Sequence, residues 1–118
     1  MLKHFNYSEF DSPDVQGSGQ MMDMRILTML DQARENFDRP IHITSGFRTN
    51  FWNEEAGGVE SSSHLKGLAV DIHCNTPRDR YHLLNCLQDV GFKRIGVADT
   101  FIHVDIDPDK TQELIWLY

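Results

Sequence analysis

Cysteine is scarce in this sequence. There are two, Cys74 and Cys86, in 118 residues. Two thiols cannot build a disulfide framework, so they are read as two semi-buried thiols and the fold must rest on a buried core. Basic residues are also in deficit, 11 Lys and Arg against 18 Asp and Glu, for a formal charge of −7. A protein that grips nucleic-acid phosphates needs a basic face, so nucleic acid is disfavoured as a partner. No apolar run approaches the roughly 20 residues that span a bilayer, so no membrane partner is expected. Met1 to Phe10 mixes polar and aromatic side chains and lacks the charged-then-apolar pattern of a secretory signal. The expectation is a chain made in the cytoplasm and kept there unless another agent releases it. What is present is ordinary for a soluble domain: 40% hydrophobic and 25% charged residues, enough for one core and one domain, expected as a monomer.

The chain divides into an N-terminal arm, residues 1–19, and a core, residues 20–118. The arm ends in turn-rich Asp11-Ser12-Pro13-Asp14 and Gly17-Ser18-Gly19. Phe5, Tyr7 and Phe10 are expected to pin it down. Met22, Ile26, Met29, Leu30, Ala33 and Phe37 recur at helical spacing and predict a helix over 21–37, stopped by Asp38-Arg39-Pro40. Ile41 to Thr44 reads as a short strand, and Asn50 to Ala56 as a short helix. Leu68 to His73 alternates, with Leu68, Val70 and Ile72 on one face and Ala69, Asp71 and His73 on the other. Thr76-Pro77-Arg78-Asp79 is a helix start, Tyr81, Leu84, Leu87 and Val90 are its expected apolar stripe, and Gly91 is its stop. Two strands, Lys93 to Val97 and Phe101 to Ile106, flank a tight turn at Ala98-Asp99-Thr100. The apolar tail from Glu113 to Tyr118 is expected to dock on the domain. The fold class is α+β: two main helices against a small, mainly antiparallel sheet that carries the site.

Chemistry concentrates in Ser61 to His73 and in Phe101 to Asp107. His64 precedes one strand and Asp71 lies within it, with Gly67 between them to let the chain turn tightly. On the later strand His103 and Asp105 share a face, while Ile102, Val104 and Ile106 take the other. Polar groups opposite a full aliphatic set point to a site on the sheet. Two histidines and a carboxylate are a standard three-ligand set for catalytic zinc and leave a position open for water. His42, His73 and His82 are read as ordinary structural histidines.

The pattern Ser-x-His-x-x-Gly-x-Ala-x-Asp, present from Ser62 to Asp71, and the later His103-Val104-Asp105 resemble the zinc D-Ala-D-Ala carboxypeptidase family of peptidoglycan peptidases. The likeness is to its small phage and prophage endolysin type, which shares its fold with the hedgehog amino-terminal domain. It runs from Ser45-Gly46-Phe47-Arg48 through Arg94-Ile95-Gly96 to Asp105, roughly residues 40 to 107. The resemblance implies zinc as cofactor, held by His64, Asp71 and His103, and a peptidoglycan stem peptide as substrate. It implies that Arg48 points its fork at the substrate's carbonyl or carboxylate and steadies the developing oxyanion. Relatives place an acid a few residues before the last histidine, often three. Here Thr100 stands at that position and Asp99 one residue earlier, so Asp99 is the expected general base. Asp105 is the fallback, read first as the partner that orients a ligand histidine.

Carboxypeptidase and endopeptidase action both remain open, and the alternative is a zinc-holding module that binds without turnover. No separate wall-binding segment is expected in these residues. Access to a cell wall is expected through a phage-type lysis system. Two lookalike motifs fail. Ser63-x-x-Lys66 lacks the companion motifs of serine penicillin-binding enzymes, since Lys110-Thr111 is followed by Gln112. Asp105-x-Asp107-x-Asp109 opens like a calcium loop, but Lys110 and Trp116 stand where Gly and Glu are required.

Overall fold

The computed structural model describes residues 2–118. It holds three α-helices and a five-stranded sheet, an α+β architecture as expected. The helices are α1 (Met24–Phe37), α2 (Asn50–Glu55) and α3 (Pro77–Asp89). The strands are β1 (Ile43–Ser45), β2 (Ala69–His73), β3 (Arg94–Val97), β4 (Phe101–Asp105) and β5 (Leu114–Leu117). The sheet order is β1-β2-β4-β3-β5, antiparallel except for the parallel pair β3–β5.

The local signals act where the sequence places them. Asp23 caps α1 by accepting from the Arg25 amide, 2.8 Å. Thr76 caps α3 by accepting from the Asp79 amide, 3.2 Å. Ile26, Leu27, Leu30 and Ala33 of α1 are fully buried against Val70, Ile72, Ile102 and Val104. The stripe on α3 differs from expectation. Leu83 and Leu87 are the buried pair, and Tyr81 is 65% exposed. The expected stripe stepped only in threes, which drifts around the helix. The i, i+4 pair Leu83–Leu87 keeps its direction toward the sheet.

The arm is more than a cover. Phe5 and Phe10 are buried, while Tyr7 is exposed. The Phe47 amide donates to the Phe10 carbonyl, 2.9 Å, and the Thr49 amide to Ser12 Oγ, 3.2 Å. The arm thereby holds the segment that carries Arg48. The tail also differs: it forms a fifth strand, β5, on the sheet edge. Its sequence, Leu-Ile-Trp-Leu, has no alternation to announce a strand.

Register explains why one face holds polar groups. Cα partners across the sheet place Ser45, Asp71, His103, Gly96 and Trp116 in one transverse row. Paired residues point to the same side, and the helices cover the other side.

Candidate metal centre

The row brings His103 beside Asp71, and a 3-10 turn, Ser63–Lys66, delivers His64 from outside the sheet. Gly67 ends that turn at φ +71°, a left-handed conformation in which its carbonyl takes the Asp23 amide, 3.0 Å. The turn thus reverses directly into β2, and His64 meets Asp71.

Donor atoms of His64, Asp71 and His103 all lie within 4.8 Å of one another. His64 Nε2 is 3.4 Å and His103 Nδ1 2.9 Å from Asp71 Oδ1. Tetrahedral ligands with bonds of about 2.0–2.1 Å stand roughly 3.3 Å apart, so the spacing suits zinc. Each imidazole is oriented from behind. His64 Nδ1 donates to the Gly46 carbonyl, 2.8 Å, which leaves the Nε2 lone pair facing inward. His103 Nε2 donates to Asp105 Oδ2, 2.8 Å, which leaves Nδ1 facing inward. Both rings are buried, at 3% and 8% exposure. Donor chemistry, spacing and tautomers together fit a borderline metal.

The electrostatics match. Burial works against the charge of Asp71, but when the inward ring nitrogens of His103 and His64 carry protons their hydrogen bonds overcome it and hold the carboxyl well below its ordinary range; a metal would take the place of those protons. Burial also works against a charged His103, and Asp105 and Asp71 outweigh it, so this imidazole is raised.

Arg48 joins the cluster. Its Nε donates to Ser45 Oγ, 3.0 Å, its Nη1 to Asn53 Oδ1, 3.2 Å, and its Nη2 to Asp71 Oδ2, 3.4 Å. It therefore steadies Asp71 as well as facing the cavity. Asp105 is 2% exposed and fully engaged. Besides His103, it accepts from Arg94 Nε, 2.7 Å, and from the Asp107 amide, 3.1 Å. Asp99 is not brought to this place. It is exposed in the turn before β4, beyond the end of the sheet, and its carbonyl takes Arg80 Nη2, 3.3 Å. The strand begins at Phe101, so a residue four before His103 sits off the sheet and away from the cavity wall.

Three features lay outside the sequence reading. Asp107 is fully buried, accepts from Ser63 Oγ at 2.7 Å and from Lys66 Nζ at 3.1 Å, and so ties the His64 turn to the end of β4. The two failed motifs, Ser63-x-x-Lys66 and Asp105-x-Asp107, are the two halves of this clamp. Trp116 and Tyr118 reach the same cavity, of about 340 Å³, which Arg48, the three cluster residues and Lys110 also line. A cleft of about 400 Å³ in the helical layer, against Phe37, Arg39, His82 and Cys86, is larger. Among the described residues, however, the metal-ligating cluster belongs to the smaller cavity.

The family model described as Peptidase M15 matches residues 3–105, which include every residue of the cluster together with Arg48 and Asp105. No curated protein matches the chain.

Proposed function

Because this chain belongs to the Peptidase M15 family of zinc peptidases, and is by that membership a metallopeptidase, we propose that it cleaves peptide bonds in peptidoglycan stem peptides. The scissile bond is either the terminal D-Ala-D-Ala or an internal one. The observation that carries the reading is the convergence of His64, Asp71 and His103 with Arg48 in one open cavity. We assign the three cluster residues as the zinc ligands. Zinc bound there would supply Lewis acidity at the peptide carbonyl and lower the pKa of water.

The chain's own residues supply the rest. The Gly46 carbonyl and Asp105 fix the histidine tautomers, so two ring nitrogens present lone pairs without reorganisation. Arg48 offers a guanidinium at the edge of the cluster, where it can donate to a substrate carbonyl or carboxylate while holding Asp71 in place. Burial of both imidazoles keeps bulk water from competing for these interactions.

A zinc-holding module without turnover is the second reading. It is favoured by one observation: the carboxylates that line the cavity among the described residues, Asp71 and Asp105, are both committed to other partners. Mass spectrometry of muropeptides after incubation with purified sacculi separates the two. The peptidase releases D-alanine or a new stem-peptide amine, chelator stops it, and zinc restores it. Intact muropeptides with a zinc-replete protein support the binding module. Access to the wall through a phage-type lysis system completes the proposal.

A further inference from the structure

Strand β5 lies beyond the family-matched stretch, residues 3–105, yet it carries side chains to the metal face. Gly96 makes this possible. It stands between His103 and Trp116 in the transverse row. A Cβ at Gly96 would lie 2.6 Å from Trp116 Nε1 and 2.7 Å from Tyr118 Cε2. With no side chain there, both rings lean across β3 toward the cavity. The indole comes within 5.6 Å of the His103 ring, centroid to centroid, and Tyr118 packs on Phe101 at 5.1 Å. Tyr118 nevertheless remains 66% exposed, so this contact is not core packing. A phenol is a neutral hydrogen-bond donor at neutral pH.

We propose that Phe101, Trp116 and Tyr118 form a substrate-binding wall, a subsite for an apolar side chain of the peptide residue beside the scissile bond. The inference rests on the reading of the ligand as a peptide. The cavity is asymmetric along the row. Arg48 lies on the β1 side of the histidines, and the aromatic rings lie on the β5 side. A peptide spanning it places a carbonyl or carboxylate at Arg48 and its apolar group on the rings. The Tyr118 hydroxyl donates to a backbone carbonyl of that residue. Aromatic faces give such a ligand large apolar contact and little entropy to lose.

The test uses a stem pentapeptide and the full chain. The sequence has two tryptophans, and Trp52→Phe leaves Trp116 as the single indole. In chelator-treated Trp52→Phe protein, binding is read without cleavage, and a saturable change in indole emission is expected. Tyr118→Ala should weaken that binding about tenfold, a loss of ~1.4 kcal/mol. In zinc-loaded protein, Tyr118→Ala and Trp116→Leu should raise KM about tenfold and leave kcat within about threefold, with zinc content unchanged. Gly96→Ala should act in the same direction with both rings intact. Tyr118 is exposed, so its variant tests the wall even where the other two fold poorly. An emission spectrum indifferent to millimolar peptide, or an unchanged KM in Tyr118→Ala, overturns the proposal. If the wild-type protein cleaves nothing, the peptidase reading fails by itself, and the emission titration still decides whether the wall binds peptide.

Discussion

Asp105→Asn exchanges one oxygen for an amide and keeps the shape of the side chain. In the native protein both carboxylate oxygens accept: Oδ2 from His103 Nε2, and Oδ1 from Arg94 Nε and the Asp107 amide. Asparagine has one acceptor oxygen to offer. The Arg94 and Asp107 donors are fixed by a guanidinium and a main chain, so the oxygen turns to them and the NH₂ group faces His103. A donor facing Nε2 stabilises the tautomer with its proton on Nδ1, the atom that points at Asp71. That tautomer cannot bind a metal through Nδ1. Restoring the native tautomer leaves two donors face to face in a site that is 2% exposed, at a cost of about 1–3 kcal/mol. The expected result is zinc affinity weakened about 10–100-fold, the usual worth of a partner that orients a ligand histidine. Competition against a chromophoric chelator measures it directly, alongside a thermal melt of the metal-free protein. Affinity equal to wild type in a folded Asp105→Asn protein would refute the tautomer argument, and with it the assignment of Nδ1 as the inward atom.

Other consequences are as concrete. Arg48→Lys should keep zinc while lowering turnover about 10–100-fold, because a point charge cannot replace three directed donations; equal turnover would reduce Arg48 to a structural salt bridge. Asp99→Asn should leave zinc content, melting temperature and turnover within about twofold of wild type, as for an exposed residue. A loss of 10²–10⁴ there would instead identify it as the general base. Burial opposes the charge on Asp107, but Ser63 and Lys66 hold its carboxyl below the ordinary 3.8. The unfolded chain therefore takes up this proton at higher pH than the folded one. The stabilisation is present above about pH 4 and is lost as pH falls through the lower folded value. Melts of chelator-treated protein should decline from about pH 5 to pH 3, and less steeply in Asp107→Asn; parallel declines would remove the clamp from the account.

The cluster was legible because its signals are local. His64, Gly67 and Asp71 fall within one turn and one strand, and the alternation around His103 marks a two-faced strand. The antiparallel pairing Asp71↔His103 then follows from two strands whose apolar faces must share a core. Arg48 was legible through the motif, but its grip on Asp71 depends on the arm, which pairs with Phe47 across many intervening residues. The turn at Asp99 and the strand start at Phe101 were read correctly, but spacing along the chain does not say which way a turn residue faces, and Asp99 lies exposed, off the cavity wall. Trp116 and Tyr118 were beyond reach for a related reason. Their strand is parallel and at the edge, without alternation, and its access to the site depends on a missing side chain at Gly96, one strand away. Asp107 was noticed at the end of the Phe101 to Asp107 stretch and in a failed calcium loop, without a role. Its role depends on Ser63 and Lys66, more than forty residues earlier.

Metal analysis of the purified protein and two of its variants is the most direct test of the central claim, that His64, Asp71 and His103 form one zinc site. The account predicts about one zinc per chain in the wild type, removed by chelator and restored by zinc. It predicts little or none in His64→Ala and His103→Ala, each still folded because α1 and α3 bury a core of their own against the sheet. Full zinc occupancy in either variant, or none in the wild type after zinc loading, would contradict it.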